Sequence, residues 1–167
     1  MSEPNFDPRV VEFCERLEQL DAGERARLKR NAGRTLAESR NVLGLFFRIL
    51  PRNIPRYQED AYFLVATLFS LAESGDEGSL GHALYRARDE KYTQGLDRRV
   101  EVLLDADQEQ LPFRLRQAVR FLDSKRVAVN WPHLLRDLLA WDSPKRWVQE
   151  SWARDYFARE QESPTKT

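Results

Sequence analysis

The chain has little of what disulfide scaffolds, metal centres and membrane spans require. Its 167 residues include one cysteine, two histidines and seven glycines. A single cysteine, Cys14, allows no internal disulfide and fits a reducing compartment. No apolar run approaches the ~20 residues that cross a bilayer, and the polar, acidic stretch MSEPNFDPRV is unlike a signal peptide. The composition therefore predicts a soluble, cytoplasmic protein with no membrane partner.

Catalytic and cofactor-binding patterns are equally scarce. His82 and His133 lie on different predicted helices without a partner at ligand spacing, and no glycine-rich phosphate loop is present. Asp105, Asp107 and Glu109 could be imagined as metal ligands, but alternating acids in a short polar turn are more typical of helix caps, and no calcium-loop pattern accompanies them. A hydrolase would require a nucleophile–base set that the chain does not show. We therefore expect no enzyme activity, no cofactor, no small-molecule substrate and no metal.

Charge is abundant, balanced in total and uneven along the chain. There are 27 basic and 27 acidic residues. The first 20 residues carry a local charge of −3, residues 21–40 carry +3, and the stretch Pro112–Arg126 carries +4. Segregated charge on a neutral chain predicts a basic face and an anionic partner. A pI near 6.8 is low for a free-standing nucleic-acid binder, which predicts weak affinity for DNA in isolation.

Apolar residues recur at three- and four-residue spacings, and no segment alternates with a period of two, so the sequence predicts an all-α fold, a two-lobed helical bundle. We expect the lobes to be residues 1–89 and 90–167, with a boundary within 90–97. A frayed polar tail is expected over 160–167. Helices are predicted over residues 8–20, 21–33, 42–50, 56–72, 79–88, 96–104 and 112–126, then after Asn130, and from Ser143-Pro144 to about Arg159.

The stretch PFRLRQAVRFLDSKR is the clearest amphipathic helix in the chain. Its apolar positions Phe113, Leu115, Val119 and Leu122 are predicted to face the core, and Pro112 suits the first helical turn because it lacks an N–H. Five basic residues against one acid occupy its other positions. We take this helix as the centre of the predicted basic face.

The four tryptophans, Trp131, Trp141, Trp147 and Trp152, permit two interpretations. Exposed indoles would stack on nucleobases, whereas tryptophans at helical spacing with leucines usually pack in a core. Core packing is the prediction for the set. Trp131, next to a proline at a helix start, is expected to be the most exposed of them.

The basic residues also permit two functions. Arginine and lysine on helices can neutralise phosphates without reading sequence, and no zinc finger, recognition helix or aromatic RNA-binding motif is present. The alternative is a helical adaptor whose basic face meets an acidic protein and touches no nucleic acid. For the run at Arg27, Lys29, Arg30 and Arg34, a merely solvated face is a third interpretation. Charge alone does not separate these.

An ordered set of short motifs runs along nearly the whole chain. The motifs are Leu20-Asp21-Ala22-Gly23, Pro55-Arg56, Ser79-Leu80-Gly81-His82-Ala83-Leu84, Arg98-Arg99 before Leu103-Leu104-Asp105-Ala106-Asp107, Phe113-Arg114-Leu115-Arg116-Gln117, Trp131 to Trp141 through Leu134-Leu135-Arg136-Asp137-Leu138-Leu139, and Val148-Gln149 with Trp152-Ala153-Arg154. Each motif is short, but as an ordered set they resemble the CasB family, the small subunits of the type I-E CRISPR surveillance complex Cascade.

The resemblance implies a non-catalytic, two-lobed helical subunit of which the complex holds two head-to-tail copies. It implies partners in the other Cascade subunits, the guide RNA and the target and non-target DNA strands, where basic residues help to hold the R-loop. Asp107 is followed here by Gln108-Glu109-Gln110, where some relatives place a base, so no contact is assigned to this loop. Local charge and the resemblance together give these candidate nucleic-acid-binding residues: Arg27, Lys29, Arg30, Arg34, Arg99, Arg114, Arg116, Arg120, Lys125, Arg126 and, more weakly because of nearby Asp137 and Asp142, Arg136.

Overall fold

The computed structural model describes residues 6–76 and 78–158, and these residues form a helical bundle, which confirms the predicted all-α class. Short 3₁₀ turns and a final π-helical turn, Arg154–Ala158, connect or extend the helices. The α-helices of the described residues are α1 Pro8–Glu18, α2 Ala22–Lys29, α3 Leu43–Ile49, α4 Glu59–Leu68, α5 Leu80–Arg86, α6 Gln94–Leu104, α7 Leu111–Ser124, α8 Trp131–Leu139 and α9 Trp147–Ala153. The predicted end of the last helix at Arg159 and the tail over 160–167 lie outside the described residues.

Side-chain caps explain the starts of four helices in the described residues: α1, α2, α5 and α8. Asp21 accepts a hydrogen bond from the Glu24 backbone N–H at 2.8 Å, and the Glu24 carboxylate accepts one from the Asp21 N–H at 3.1 Å, which forms a capping box. Ser79 and Asn130 cap α5 and α8 as predicted. The predicted start at Ser143 is wrong: α9 begins at Trp147, after a turn that places Arg146 at a φ of 50°.

The helix α4 forms the centre of the core. Its residues from Tyr62 to Leu68 are all buried, and it packs against α2, α7 and α8. The edge-on aromatic pairs Phe13–Tyr62 and Phe46–Phe63 join α1 and α3 to it, with ring centroids 5.0 and 5.2 Å apart. The helices α2 and α7 therefore both pack against one buried helix, α4.

The C-terminal segment closes over α5. Gly81 lies so close to α9 that a Cβ atom there would be 2.8 Å from the Trp152 Cα atom, so only glycine fits without displacing backbone. Ser79 donates a hydrogen bond to Asp155, and the Tyr156 hydroxyl donates one to Asp97 at 2.6 Å. These contacts attach the final turns to both α5 and α6.

Helices from both predicted lobes contribute to one cluster of buried side chains, because α1 and α4 pack on α8 and α5 packs on α9. The loop after α4 is also tied down: Gly75 donates a backbone hydrogen bond to Val129, and Val129 donates one to Glu73, each at 2.9 Å. The division at 90–97 stays a prediction. In the part of the chain described, no helix is both long and apolar enough to cross a membrane.

Two predictions about aromatic exposure are wrong. Trp131 is only 1% exposed, because it packs against Phe69 with ring centroids 5.5 Å apart. Phe113 is 49% exposed: it precedes Leu115 by two residues, which places it about 200° away around the helix. Core packing holds for Trp131, Trp141 and Trp152, whereas Trp147 is 41% exposed.

Candidate nucleic-acid interface

The two basic segments of the sequence meet at the end of α2. The chain leaves α2 through Gly33, whose φ of 88° is left-handed and favours glycine. The aliphatic part of Arg116, from α7, lies directly against this turn: a Cβ atom on Gly33 would be 3.0 Å from Arg116 Cδ. The turn after α2 and an arginine of α7 therefore lie in close contact.

A surface cavity of about 380 Å³ lies beside this contact, and we name it the α2–α7 depression. Lys29 enters it from α2, and Arg116 and Arg120 enter it from α7. Within residues 6–76 and 78–158, no carboxylate forms an ion pair with any of these three cations. The remaining lining is Leu71, Asp123 and Ser124.

A second cavity, of about 330 Å³, lies on the other side of α7 between α6 and α7, and we name it the α6–α7 groove. Arg99 of α6 and Arg114 of α7 line it. The Arg99 guanidinium carbon and the Lys125 Nζ atom each lie 5.8 Å from the centroid of the Phe121 ring, a cation–π distance. Two predicted site residues, Arg99 and Arg114, thus line this groove, and a third, Lys125, lies beside it against Phe121.

Helical geometry explains why the α7 cations divide into two groups. At 100° per residue, Arg116 and Arg120 are about 40° apart around the helix, whereas Arg114 is roughly 120–160° from both. Phe113 and Gln117 occupy the exposed ridge between the two groups. The cations of α7 therefore serve two surfaces.

The other predicted residues around α2 and the end of α7 lie apart from these two cavities. Arg27 donates a hydrogen bond to the Asn41 carbonyl oxygen at 3.0 Å and so links α2 to the start of α3. Arg34 lines a small cleft of about 70 Å³ that also contacts Pro112, at the start of α7. Arg30 and Arg126 are exposed.

Arg136 belongs to a polar network, not to either basic group. It donates hydrogen bonds to Asp137 at 3.0 and 3.3 Å and lies 3.0 Å from the His133 Nε2 atom. Asp137 is 2% exposed and also accepts a hydrogen bond from the Trp152 indole N–H at 2.8 Å. Burial lowers the pKa of His133, and Arg136 lowers it further, whereas Asp137 opposes the shift. The Arg136 guanidinium therefore already pairs with a carboxylate of its own chain, Asp137.

One candidate was not predicted from the sequence: Arg98 lines the α6–α7 groove beside Arg99. Its place next to Arg99 at the start of α6 was a weak signal, because only the packing of α6 on α7 shows which side of the helix meets the α7 cations. In the acidic turn, Asp107 accepts a hydrogen bond from the Gln110 N–H at 2.9 Å, whereas α7 itself begins after Gln110 without a side-chain cap. Across the described ranges, no group of three histidine, cysteine or acidic side chains could hold a metal ion.

Comparison with known proteins gives one family. A sequence model described as CRISPR-associated protein Cse2 matches residues 24–157. A CRISPR-associated protein Cse2 from Thermus thermophilus is 43% identical over 103 residues, which are 60% of this chain and 57% of that protein. The matched region therefore spans little more than half the length of this curated relative.

Solved structures share the fold. CasB from M. ruber is 33% identical, with a TM-score of 0.77 over 92% of this chain and 95% of that one. A chain of E. coli Cascade bound to a PAM-containing double-stranded DNA target is 20% identical, with a TM-score of 0.67 over 92% of this chain and 97% of that one. The second likeness shows the fold alone.

Proposed function

The chain belongs to the CRISPR-associated protein Cse2 family, and we propose that it is the non-catalytic small subunit of a type I-E CRISPR interference complex, Cascade. In this role it stabilises the R-loop, the guide RNA–target DNA duplex with its displaced strand, through sequence-independent phosphate contacts. It also bridges neighbouring subunits, including a second copy of itself. The E. coli relative of the same fold belongs to a Cascade bound to DNA, which supports the proposal.

The α2–α7 depression is the observation that carries the proposal. Lys29 comes from one basic segment of the sequence and Arg116 and Arg120 from another, and the fold brings all three to one cavity. Their charge exceeds that of the single acid there, Asp123. Cations without intramolecular ion pairs are available to an external anion, and a phosphate backbone presents such anions at regular spacing.

The chemistry of the depression favours phosphate over base recognition. Its lining contains three cations, one carboxylate, a hydroxyl and one leucine, and among the described residues that line it there is no aromatic face on which a base could stack. Arginine and lysine bound to phosphate oxygens position a strand without reading its sequence. This fits a subunit that must hold any target that the guide selects.

The test is a salt titration of binding to labelled single-stranded and duplex DNA, first with the purified protein and then with the reconstituted complex. The pair R116Q/R120Q removes two cations while keeping long polar side chains. Because each phosphate contact on a single strand contributes a slope of about 0.7 in log K against log salt, we expect the slope to fall by roughly 1.4. The reversal R116E/R120E should weaken binding further.

A matched control is R52Q/R56Q, which removes two exposed arginines at the start of the α4 region that no described carboxylate pairs with. We expect its slope to match that of the unmodified protein. Helicity and the melting temperature should be nearly unchanged in both pairs. An unchanged slope in R116Q/R120Q, measured in the reconstituted complex, would contradict the proposal, as would unfolding caused by the substitutions.

The second candidate function is a helical adaptor that contacts protein alone. The absence of net charge favours it, because free-standing nucleic-acid-binding domains tend to be strongly basic. The two functions differ in the assembled complex: an adaptor would leave DNA binding by the complex independent of Arg116 and Arg120 while assembly itself suffered.

A further inference from the structure

The α6–α7 groove differs in character from the α2–α7 depression. Its floor is aliphatic, formed by Leu84, Leu96, Val100 and Leu103, none more than 9% exposed. Ala118 and Phe121 of α7 form one wall. The volume of about 330 Å³ lies at the lower end of the ~300–1,000 Å³ typical of ligand pockets, which is room for an anchor side chain and not for a whole helix.

Cations line the rim of the groove. Arg98, Arg99 and Arg114 are the charged residues that line it, and within the described residues none of them forms an ion pair. Arg114 donates a hydrogen bond to the Gln117 side-chain oxygen at 3.4 Å, and its guanidinium carbon lies 5.6 Å from the centroid of the Phe113 ring. A pocket with an apolar floor and three unneutralised cations at its edge is complementary to an apolar group flanked by negative charge.

The acids of the same helices lie on other surfaces. Asp97 accepts the Tyr156 hydroxyl hydrogen bond and so lies toward the C-terminal turn. Glu101 lines a separate cavity between α6 and α9, and Asp123 lines the α2–α7 depression. The positive potential of the groove is therefore not cancelled from its own elements.

We propose that the α6–α7 groove is a docking site for an acidic segment of a partner protein. One leucine-sized side chain of that segment enters the aliphatic floor, and carboxylates on either side of it pair with Arg98, Arg99 and Arg114. Protein interfaces commonly have an apolar centre and a polar rim, and the charges of the rim complement those of the partner. This surface is distinct from the α2–α7 depression and does not depend on the phosphate contacts proposed there.

A nucleobase fits the groove less well than an aliphatic anchor. Bases bind by stacking on aromatic faces, and Phe121, the aromatic residue lining the groove, already has the Arg99 and Lys125 cations at 5.8 Å from its ring centroid. The floor otherwise offers branched aliphatic side chains, which complement leucine or isoleucine in shape.

The experiment uses the full chain, labelled with ¹⁵N, and a synthetic acetylated peptide of sequence Glu-Glu-Leu-Leu-Glu-Glu as the probe. We expect the peptide to shift the amide resonances of Leu96, Val100, Ala118 and Phe121. The variant R98Q/R99Q/R114Q should bind the peptide roughly tenfold more weakly. A peptide with serine in place of both leucines should leave the groove resonances unmoved.

A second variant, G95W, tests occupancy of the groove without removing charge. Gly95 lines the groove, a Cβ atom there meets nothing within 4 Å, and its φ is not left-handed. We expect the indole to fill the groove and to abolish the leucine-dependent shifts while circular dichroism shows unchanged helicity. R52Q/R56Q serves as the charge control and should bind like the unmodified chain.

Four results would overturn the proposal. They are no shift at millimolar peptide, shifts that persist unchanged in G95W, groove shifts produced by a thymidine oligonucleotide and not by the peptide, and groove shifts that depend on protein concentration without peptide. The third result would assign the groove to nucleic acid, and the fourth to a second copy of this chain.

Discussion

Replacement of Asp137 should destabilise the protein more than any surface change, because this carboxylate joins α8 to α9 from inside the core. It is 2% exposed and accepts hydrogen bonds from the Trp152 indole at 2.8 Å and from Arg136 at 3.0 Å. The variant D137L removes both acceptors and leaves the indole N–H buried without a partner. The variant D137N keeps one oxygen for the indole, but its amide NH2 replaces the Oδ1 atom that accepts from Arg136, so this contact is lost together with the charge.

The magnitude follows from burial. In D137L the indole N–H is left buried without an acceptor, which costs about 1–3 kcal/mol, and loss of the partly exposed pair with Arg136 adds about 1 kcal/mol, so we expect a loss of about 2–4 kcal/mol. Since the Arg136 side chain is 34% exposed, solvent screens its ion pair, and D137N should cost about 1–2 kcal/mol. For a chain of this size, 1 kcal/mol corresponds to a shift of roughly 2–4 °C in melting temperature. The expected loss is therefore roughly 4–16 °C for D137L and 2–8 °C for D137N.

Urea denaturation of D137L, D137N, W152F and the double variant D137L/W152F measures these values. If the indole–carboxylate bond carries the effect, the two single changes should be non-additive by about 1–3 kcal/mol, because W152F has already removed the donor. A loss below 1 kcal/mol in D137L, or full additivity in the double variant, would refute the reasoning.

Two further predictions concern Gly81 and His133. G81A should lower the free energy of unfolding by about 1–3 kcal/mol, measured by urea denaturation, because the added carbon meets the Trp152 backbone; G95A, where a Cβ atom meets nothing, is the control and should not lose stability. Burial lowers the pKa of His133, so the unfolded chain binds its proton more readily than the folded one. The stability that results is present above the unfolded pKa of about 6.5 and is lost as pH falls through the folded pKa. The melting temperature of H133Q should therefore depend less on pH in this range than that of the unmodified protein. An equal pH dependence in the two proteins would contradict the assignment to His133.

The sequence predicted those parts of the fold that depend on local chemistry. The predicted N-caps Asp21, Ser79 and Asn130 each bond to a backbone N–H three residues on, so their signal is complete in a short window, whereas the reciprocal bond from Glu24 to Asp21 was not predicted. Ser143 offered the same signal before Pro144, but α9 starts later because Arg146 adopts a left-handed conformation after a turn, which no propensity of arginine predicts.

Whether an aromatic side chain is exposed depends on residues that are distant from it in the sequence. Trp131 is covered by Phe69 of the segment after α4, a contact that no spacing within α8 indicates. Prediction of the candidate site from the sequence was limited in the same way. Basic residues were visible in the sequence, but the meeting of Lys29 with Arg116 depends on the way α2 and α7 both rest on α4.

The left-handed turn at Gly33 places a constraint on how this surface can be mapped and how it can vary. Arg116 lies against a residue that has no side chain, so an alanine scan of charged positions that tests the proposed phosphate contacts would include Arg116 and pass over its neighbour Gly33. A substitution at Gly33 would displace that arginine while leaving every charge in the chain intact. Under the proposed function, homologues with identical basic residues can therefore differ in affinity because of an uncharged position.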